Sequence, residues 1–224
     1  AYAAVHTEAE VEAAFSKIRM GRAVADGEEE KFISFMLLFF AKLDQGCDWV
    51  QQYHFGALRS VNTLMVHSLG PDTGFDVIGD AAYAEPLARY LDNLQSQGRL
   101  SRTILYNLNP KDNDVIAALL GCFPGEGIKG RLQWGPAWWF LDQQDGMTRQ
   151  LETLSALGLL RLFVGMGTDS RSFLSFSRHE YFRRLLCNIL GNDVHKGLLP
   201  GDLPLLGAMV RDICTDNPKS YFKF

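Results

Sequence analysis

Apolar residues recur every three to four positions at Phe32, Phe35, Met36, Phe39, Phe40 and Leu43. The spacing predicts a helix over 28–44 with one wide apolar face packed away from water. Upstream, Thr7-Glu8-Ala9-Glu10 has the form of a capping box, so a helix runs from Thr7 to about Met20 and stops at Gly21. Further helices are predicted over 86–94, from Asp112 or Asn113 to Cys122, and over 145–157, 178–190 and 203–214. Short runs of β-formers predict strands at 49–54, 103–108, 131–134 and 163–168. Residues 61–70 are helical or irregular. Segments 70–76, 124–130 and 135–139 are dense in turn residues. Asn217-Pro218 is expected to stop the last helix, with Tyr221 and Phe222 as an aromatic anchor behind it.

These elements alternate as four strand–helix units with no hairpin signal, which implies a parallel sheet. Four strands fall short of the eight that close a (β/α)8 barrel, which needs about 250 residues. Neither internal repeats nor a linker divides the chain, so residues 1–224 are expected to form a single domain.

Composition narrows the function. The chain has 224 residues, 47% hydrophobic and 21% charged, enough apolar mass for a core. A net charge of −4 without a basic stripe argues against nucleic acid as a partner. The most apolar run, 32–43, is too short to span a bilayer, so no membrane partner is expected. Cys47, Cys122, Cys187 and Cys214 form no CxxC pair and are expected to be buried, reduced thiols of a cytoplasmic protein. The chain opens on Ala1-Tyr2 without an initiator Met.

Each predicted strand ends in chemistry. Phe163-Val164-Gly165-Met166-Gly167-Thr168 leads into Asp169-Ser170-Arg171. On an extended chain, Asp169 and Arg171 point to the same side. A carboxylate there can take a proton or hold a metal, and a guanidinium can clamp an anion. His54 ends the first strand, with Arg59 close behind. It could ligate a metal, polarise a carbonyl, or bond the backbone as a core histidine. Trp138-Trp139 can wall a sugar-sized pocket or simply pack. Arg183-Arg184 reads as a solvated helix face or a salt-bridge partner. Phosphate-loop spacings are absent, and so are the HxH and HExxH metal pairs.

Five segments, WVQQYHFGALRSVNT, LGPDTGFDVIGD, TILYNLNPKDNDV, WGPAWWFLDQQDGM and FVGMGTDSRSFLSFSRHEYFRRLLCNILG, together and in this order resemble the uronate (glucuronate) isomerase family. The resemblance runs from about Thr7 to the last residue. It implies an amidohydrolase-like metal-dependent barrel that interconverts D-glucuronate with D-fructuronate, and D-galacturonate with D-tagaturonate. It covers the C-terminal half of the family, so the expected fold is α/β, strands five to eight of a (β/α)8 TIM-type barrel with extra helices. The family's strand-eight aspartate and its companion arginine fall on Asp169 and Arg171. The strand-five histidine falls on His54, the arginine after it on Arg59, and the pocket tryptophan on Trp138. The resemblance implies a divalent metal, zinc being the expected ion, with Asp169 as ligand, base or both. The HxH ligands are expected in the N-terminal half. A hexuronate is the expected substrate; a homo-oligomer, or pairing with an N-terminal half, is the expected assembly. The rival readings are a metal-dependent hydrolase of the same barrel type and a non-catalytic half-barrel that binds sugar acids.

Overall fold

The computed structural model describes Tyr2 and residues 5–125 and 127–224. Contacts between Cα atoms divide the chain into two compact units: Ala1–Gln51 with Ala82–Thr103, and Gln52–Ala81 with Ile104–Phe224.

The first unit is built on three helices, α1 (Glu8–Arg19), α2 (Asp26–Gly46) and α4 (Ala84–Ser96). Thr7 caps α1 as its sequence predicts. The Thr7 hydroxyl accepts from the Glu10 backbone N–H, and the Glu10 carboxylate accepts from the Thr7 N–H. Phe15 and Phe32 stack across α1 and α2 at 5.8 Å between ring centroids. Ion pairs Lys17–Glu28 and Lys31–Glu10 flank that contact. Helix α4 buries Leu87, Tyr90, Leu91 and Leu94 on one stripe, and the Tyr90 hydroxyl donates to the Leu37 carbonyl. The wide apolar face of α2 is only partly covered. Phe39, Phe40 and Leu43 are 46%, 51% and 47% exposed, so the expectation that this whole face packs away does not hold. The small residues Ser34 and Ala41 are the buried positions of α2.

The second unit carries the sheet. Strands β1 (Gln51–Phe55), β4 (Thr103–Asn107) and β5 (Leu132–Trp134) lie in the order β1-β4-β5. Their first residues, Gln51 and Thr103, belong to the first unit. Gln51 N–H donates to the Arg102 carbonyl and Leu108 N–H to the Phe55 carbonyl. The register of β1 and β4 therefore advances in the same direction, which makes them parallel. Strand β4 is buried at all five positions, as a central strand covered on both faces should be. Helices α5 (Asn113–Cys122), α6 (Gln144–Leu157) and α7 (Ser177–His195) follow the strands, close to their predicted bounds.

Four further expectations are corrected. Residues 163–168 form no strand and pair with none among the described residues. Gly165 breaks the ladder with φ +73°, and a Cβ there would lie 2.4 Å from the Ile213 carbonyl oxygen. An antiparallel pair also appears where no hairpin signal exists. Strands β2 (Ala57–Leu58) and β3 (Val77–Ile78) pair Ala57 with Ile78 and Leu58 with Val77, either side of the short helix α3 (Thr63–Leu69). Asn217-Pro218 begins a helix rather than stopping one. Helix α8 (Leu203–Arg211) runs through a π turn (Asp212–Asp216) into α9 (Asn217–Phe222), where Pro218 occupies the first turn, the place its missing N–H costs least. Finally, Cys47, Cys122 and Cys187 are exposed and Cys214 half-buried; all four are free. Part of the turn predicted at 124–130 lies outside the described residues at Glu126; Gly125 and Ile128 bridge across it.

Among the described residues, no helix is long and apolar enough to cross a membrane.

Candidate active site

The C-terminal ends of β4 and β5 meet at one buried side chain, Asn107, the last residue of β4. Its Oδ1 accepts from Trp134 Nε1 at 2.8 Å, and its Nδ2 donates to Asn113 Oδ1 at 2.8 Å and to the Asn109 carbonyl at 2.9 Å. Its backbone carbonyl accepts from Trp138 Nε1 at 3.1 Å. One amide thus satisfies itself fully while fixing the loop that follows β5. Gln150 on α6 holds the same loop from the other side. It donates to the Gly135 carbonyl at 2.7 Å and accepts from Ala137 N–H at 3.0 Å, with 5% of the residue exposed.

The fixed loop presents Trp138, whose ring meets His54 edge-on at 4.8 Å. His54 in turn lies on Tyr106 at 4.2 Å, and the Tyr106 hydroxyl donates to Gln52 Oε1 at 2.7 Å. Gly135 makes this stack possible, because a Cβ there would stand 2.0 Å from the Tyr106 ring. Burial pushes the His54 pKa below 6.5, while the negative charge of Asp169 works in the opposite sense. Burial, and then that same charge, raise the Tyr106 pKa. At neutral pH His54 is therefore a neutral imidazole and Tyr106 a phenol.

Asp169 follows this unpaired segment, in the left-handed region at φ +48°. Such backbone is uncommon for any residue but Gly, and among the others Asp and Asn tolerate it best. The serines around it build the turn: Ser170 N–H donates to Thr168 Oγ1, Ser172 N–H to Ser170 Oγ, and Ser175 Oγ to Ser170 Oγ. The cap of the following 3₁₀ turn is Ser172, which accepts from Leu174 N–H. A cavity of about 600 Å³ brings Asp169, Arg171 and Trp138 together, with Asp142 and Arg178 in its wall. Among the described residues Arg171 has no ion-pair partner. Arg59 stands elsewhere. Its guanidinium pairs with Asp76 at 2.9 Å and Asp72 at 3.5 Å and lies over the Trp139 ring at 4.9 Å, in a second cavity of about 440 Å³. Trp139 lines both cavities. Arg184 pairs with Glu180 along α7, as a solvated helix face should.

Asp142, Gln150 and Arg178 escape a reading of the sequence. Each acts on a segment remote from its own, and no local pattern announces that. Arg178 alone had a signal, being the first cation after the Asp169 turn.

As for a metal, no group of three or more His, Cys, Asp or Glu able to hold one occurs among the described residues. Asp169 offers one exposed carboxylate, enough for one ligand position and not for a site.

An imidazole on β1, a tryptophan in the loop after β5, and a carboxylate and a guanidinium in the turn after residue 168 make up an enzyme-like site on an α/β scaffold. The sequence comparisons specify the family. The glucuronate isomerase family model matches residues 1–222, and the chain belongs to that family. It is 54% identical to the uronate isomerase of Cellvibrio japonicus over 223 residues, 100% of this chain and 47% of that protein. It is 52% identical to the uronate isomerase of Phocaeicola vulgatus, covering 48% of it. The crystal structure of uronate isomerase from Thermotoga maritima superposes with a TM-score of 0.90 at 33% identity, over 99% of this chain and 47% of that one. Glucuronate isomerase from Caulobacter crescentus gives 0.86 at 30% identity, over 99% and 45%. The chain thus spans about half the length of the relatives it matches.

Proposed function

We propose that this chain is the C-terminal part, strands five to eight of a (β/α)8 barrel, of a cytoplasmic uronate isomerase. The reaction interconverts D-glucuronate with D-fructuronate, and D-galacturonate with D-tagaturonate, in hexuronate breakdown. The observation that carries the reading is the cavity that joins Asp169, Arg171 and Trp138 in a member of the glucuronate isomerase family.

The chemistry moves a proton between C2 and C1 of an open-chain sugar acid. A base removes the C2 proton, the C–H electrons form the C1=C2 bond of an enediol, and O1 takes a proton. The O2 proton then leaves as a proton returns to C1, so atoms balance with no redox partner. Asp169 is the carboxylate placed to carry that proton. His54, neutral at pH 7 by virtue of its burial, donates a hydrogen bond to the carbonyl oxygen as charge grows there. Arg171, with no ion-pair partner among the described residues, receives the C6 carboxylate; Trp138 covers the sugar face. Arg59 is already held by Asp76 and Asp72, so its role is a contact with sugar hydroxyls beside Trp139. A divalent metal, zinc by expectation, would be held by Asp169 with an HxH pair from outside these residues, and when bound supplies Lewis-acid stabilisation of the oxyanion. The active assembly is a homo-oligomer or a pairing with an N-terminal half.

The test is isomerisation in D2O followed by proton NMR. Fructuronate formed from glucuronate should carry solvent deuterium at C1, and Asp169→Asn should abolish both conversion and exchange. Conversion without any Asp169 dependence would remove the carboxylate from this role.

A further inference from the structure

Arg178, in the first turn of α7, spans two loops that sequence separates by more than twenty residues. One terminal nitrogen donates to the Thr168 carbonyl at 3.0 Å, the residue immediately before Asp169. The other pairs with Asp142, whose side chain is 9% exposed. Asp142 closes the 3₁₀ turn Trp139–Leu141, its N–H donating to the Trp139 carbonyl at 3.2 Å. A single planar guanidinium thus ties the loop bearing Trp138 to the backbone that bears Asp169.

The geometry points to Arg178 as a positioning residue, one that fixes the Asp169 carboxylate relative to Trp138 without touching substrate. Asp169 needs such a clamp. Its φ of +48° is a conformation that a free loop leaves readily. The serine bonds within 168–175 shape the turn locally but do not tether it to the Trp138 loop, whereas Arg178 does. A planar, permanently charged fork suits this task, because its two donors leave in fixed and different directions. Asp142 holds the fork's other side. The inference rests on the isomerase reading for its catalytic consequence, but not for its structural one.

Two measurements decide it. In the protein form that isomerises hexuronates, Arg178→Gln should lower kcat by about 10- to 100-fold, the loss expected of a carboxylate displaced by about 1 Å, with KM changed by less than about threefold. Asp142→Asn should lower kcat in the same sense, and Arg178→Lys, which keeps the charge but not the fixed fork, should relieve only part of the loss. Amide hydrogen exchange needs no turnover. In Arg178→Gln, residues 166–172 should exchange at least about tenfold faster while the buried stretch of α7 around Leu185 and Leu186 is unchanged. Unchanged exchange at 166–172, or a kcat loss that Lys fails to relieve at all, overturns the proposal. A wild-type protein that binds but never isomerises any hexuronate defeats the functional reading alone, and the exchange experiment then decides the positioning role.

Discussion

The imidazole of His54 lies flat on the phenol ring of Tyr106, with centroids 4.2 Å apart and planes within 4° of parallel. This stack covers one face of the His54 ring. It also sets the charge state of the ring. By NMR the His54 titration midpoint should fall below 6.5, and Asp169→Asn should lower it further, because the Asp169 charge is what raises it. A depressed histidine pKa means that the unfolded chain takes up protons first. The His54 contribution to stability is therefore full above about pH 6.5 and is lost as pH falls through the folded value. A midpoint at or above 6.5 would contradict the stack as the controlling environment.

Asp169→Asn should lower kcat by at least about two orders of magnitude, since a positioned base contributes on the order of 10² to 10⁴. An N-cap role is excluded as an explanation, because Ser172 caps the turn. Asn also tolerates the left-handed backbone, so the melting temperature should stay within a few degrees. Near-normal turnover in this variant would show that the carboxylate is dispensable.

Arg171→Lys should weaken uronate use by about 1.5–3 kcal/mol, the worth of a charge-assisted hydrogen bond, and leave trace activity on the uncharged hexose nearly untouched. The comparison of kcat/KM for both sugars in wild type and variant checks it. Equal losses would transfer the carboxylate contact to another residue.

Gly165→Ala meets two penalties at once, φ +73° and a Cβ 2.4 Å from the Ile213 oxygen. It should destabilise the protein by about 2 kcal/mol or more in chemical denaturation. Gly191→Ala, whose Cβ would meet open space within a helix, is the control and should be neutral or slightly stabilising.

Phe173, Leu174 and Phe176, just past the Asp169 turn, are 84%, 87% and 65% exposed. Three large apolar side chains exposed in one stretch are the kind of patch that favours association. The 224-residue chain purified alone should run as an oligomer or stay soluble only with a partner, as light scattering would show. A monomer that melts cooperatively would count against this.

The helices were legible because capping and periodicity are local. Thr7 and Glu10 meet within one turn, and nothing elsewhere can overrule them. The strand expected at 163–168 was not, because composition announces extended backbone but not a neighbour to pair with. At this place Gly165 bends the chain onto Ile213 instead. Pro218 misled for a related reason: a proline ends one helix and opens another with equal ease, and only the surrounding chain decides. In the site, Asp169, Arg171 and Trp138 could be chosen for their chemistry at predicted strand ends. The partners of Arg59 and Arg178 could not, since Asp76 and Asp142 reach them across loops whose lengths carry no code for the contact.

The backbone at Asp169 has a consequence for which substitutions the position can accept. Glycine and asparagine suit its left-handed turn but bring no negative charge. Glutamate brings the charge on a side chain one methylene longer, from a residue less at ease at positive φ. Conformation and chemistry, taken separately, each admit several residues; their intersection holds one. In a saturation library selected first for folding and then for turnover, this codon should pass from a small tolerated set to aspartate alone.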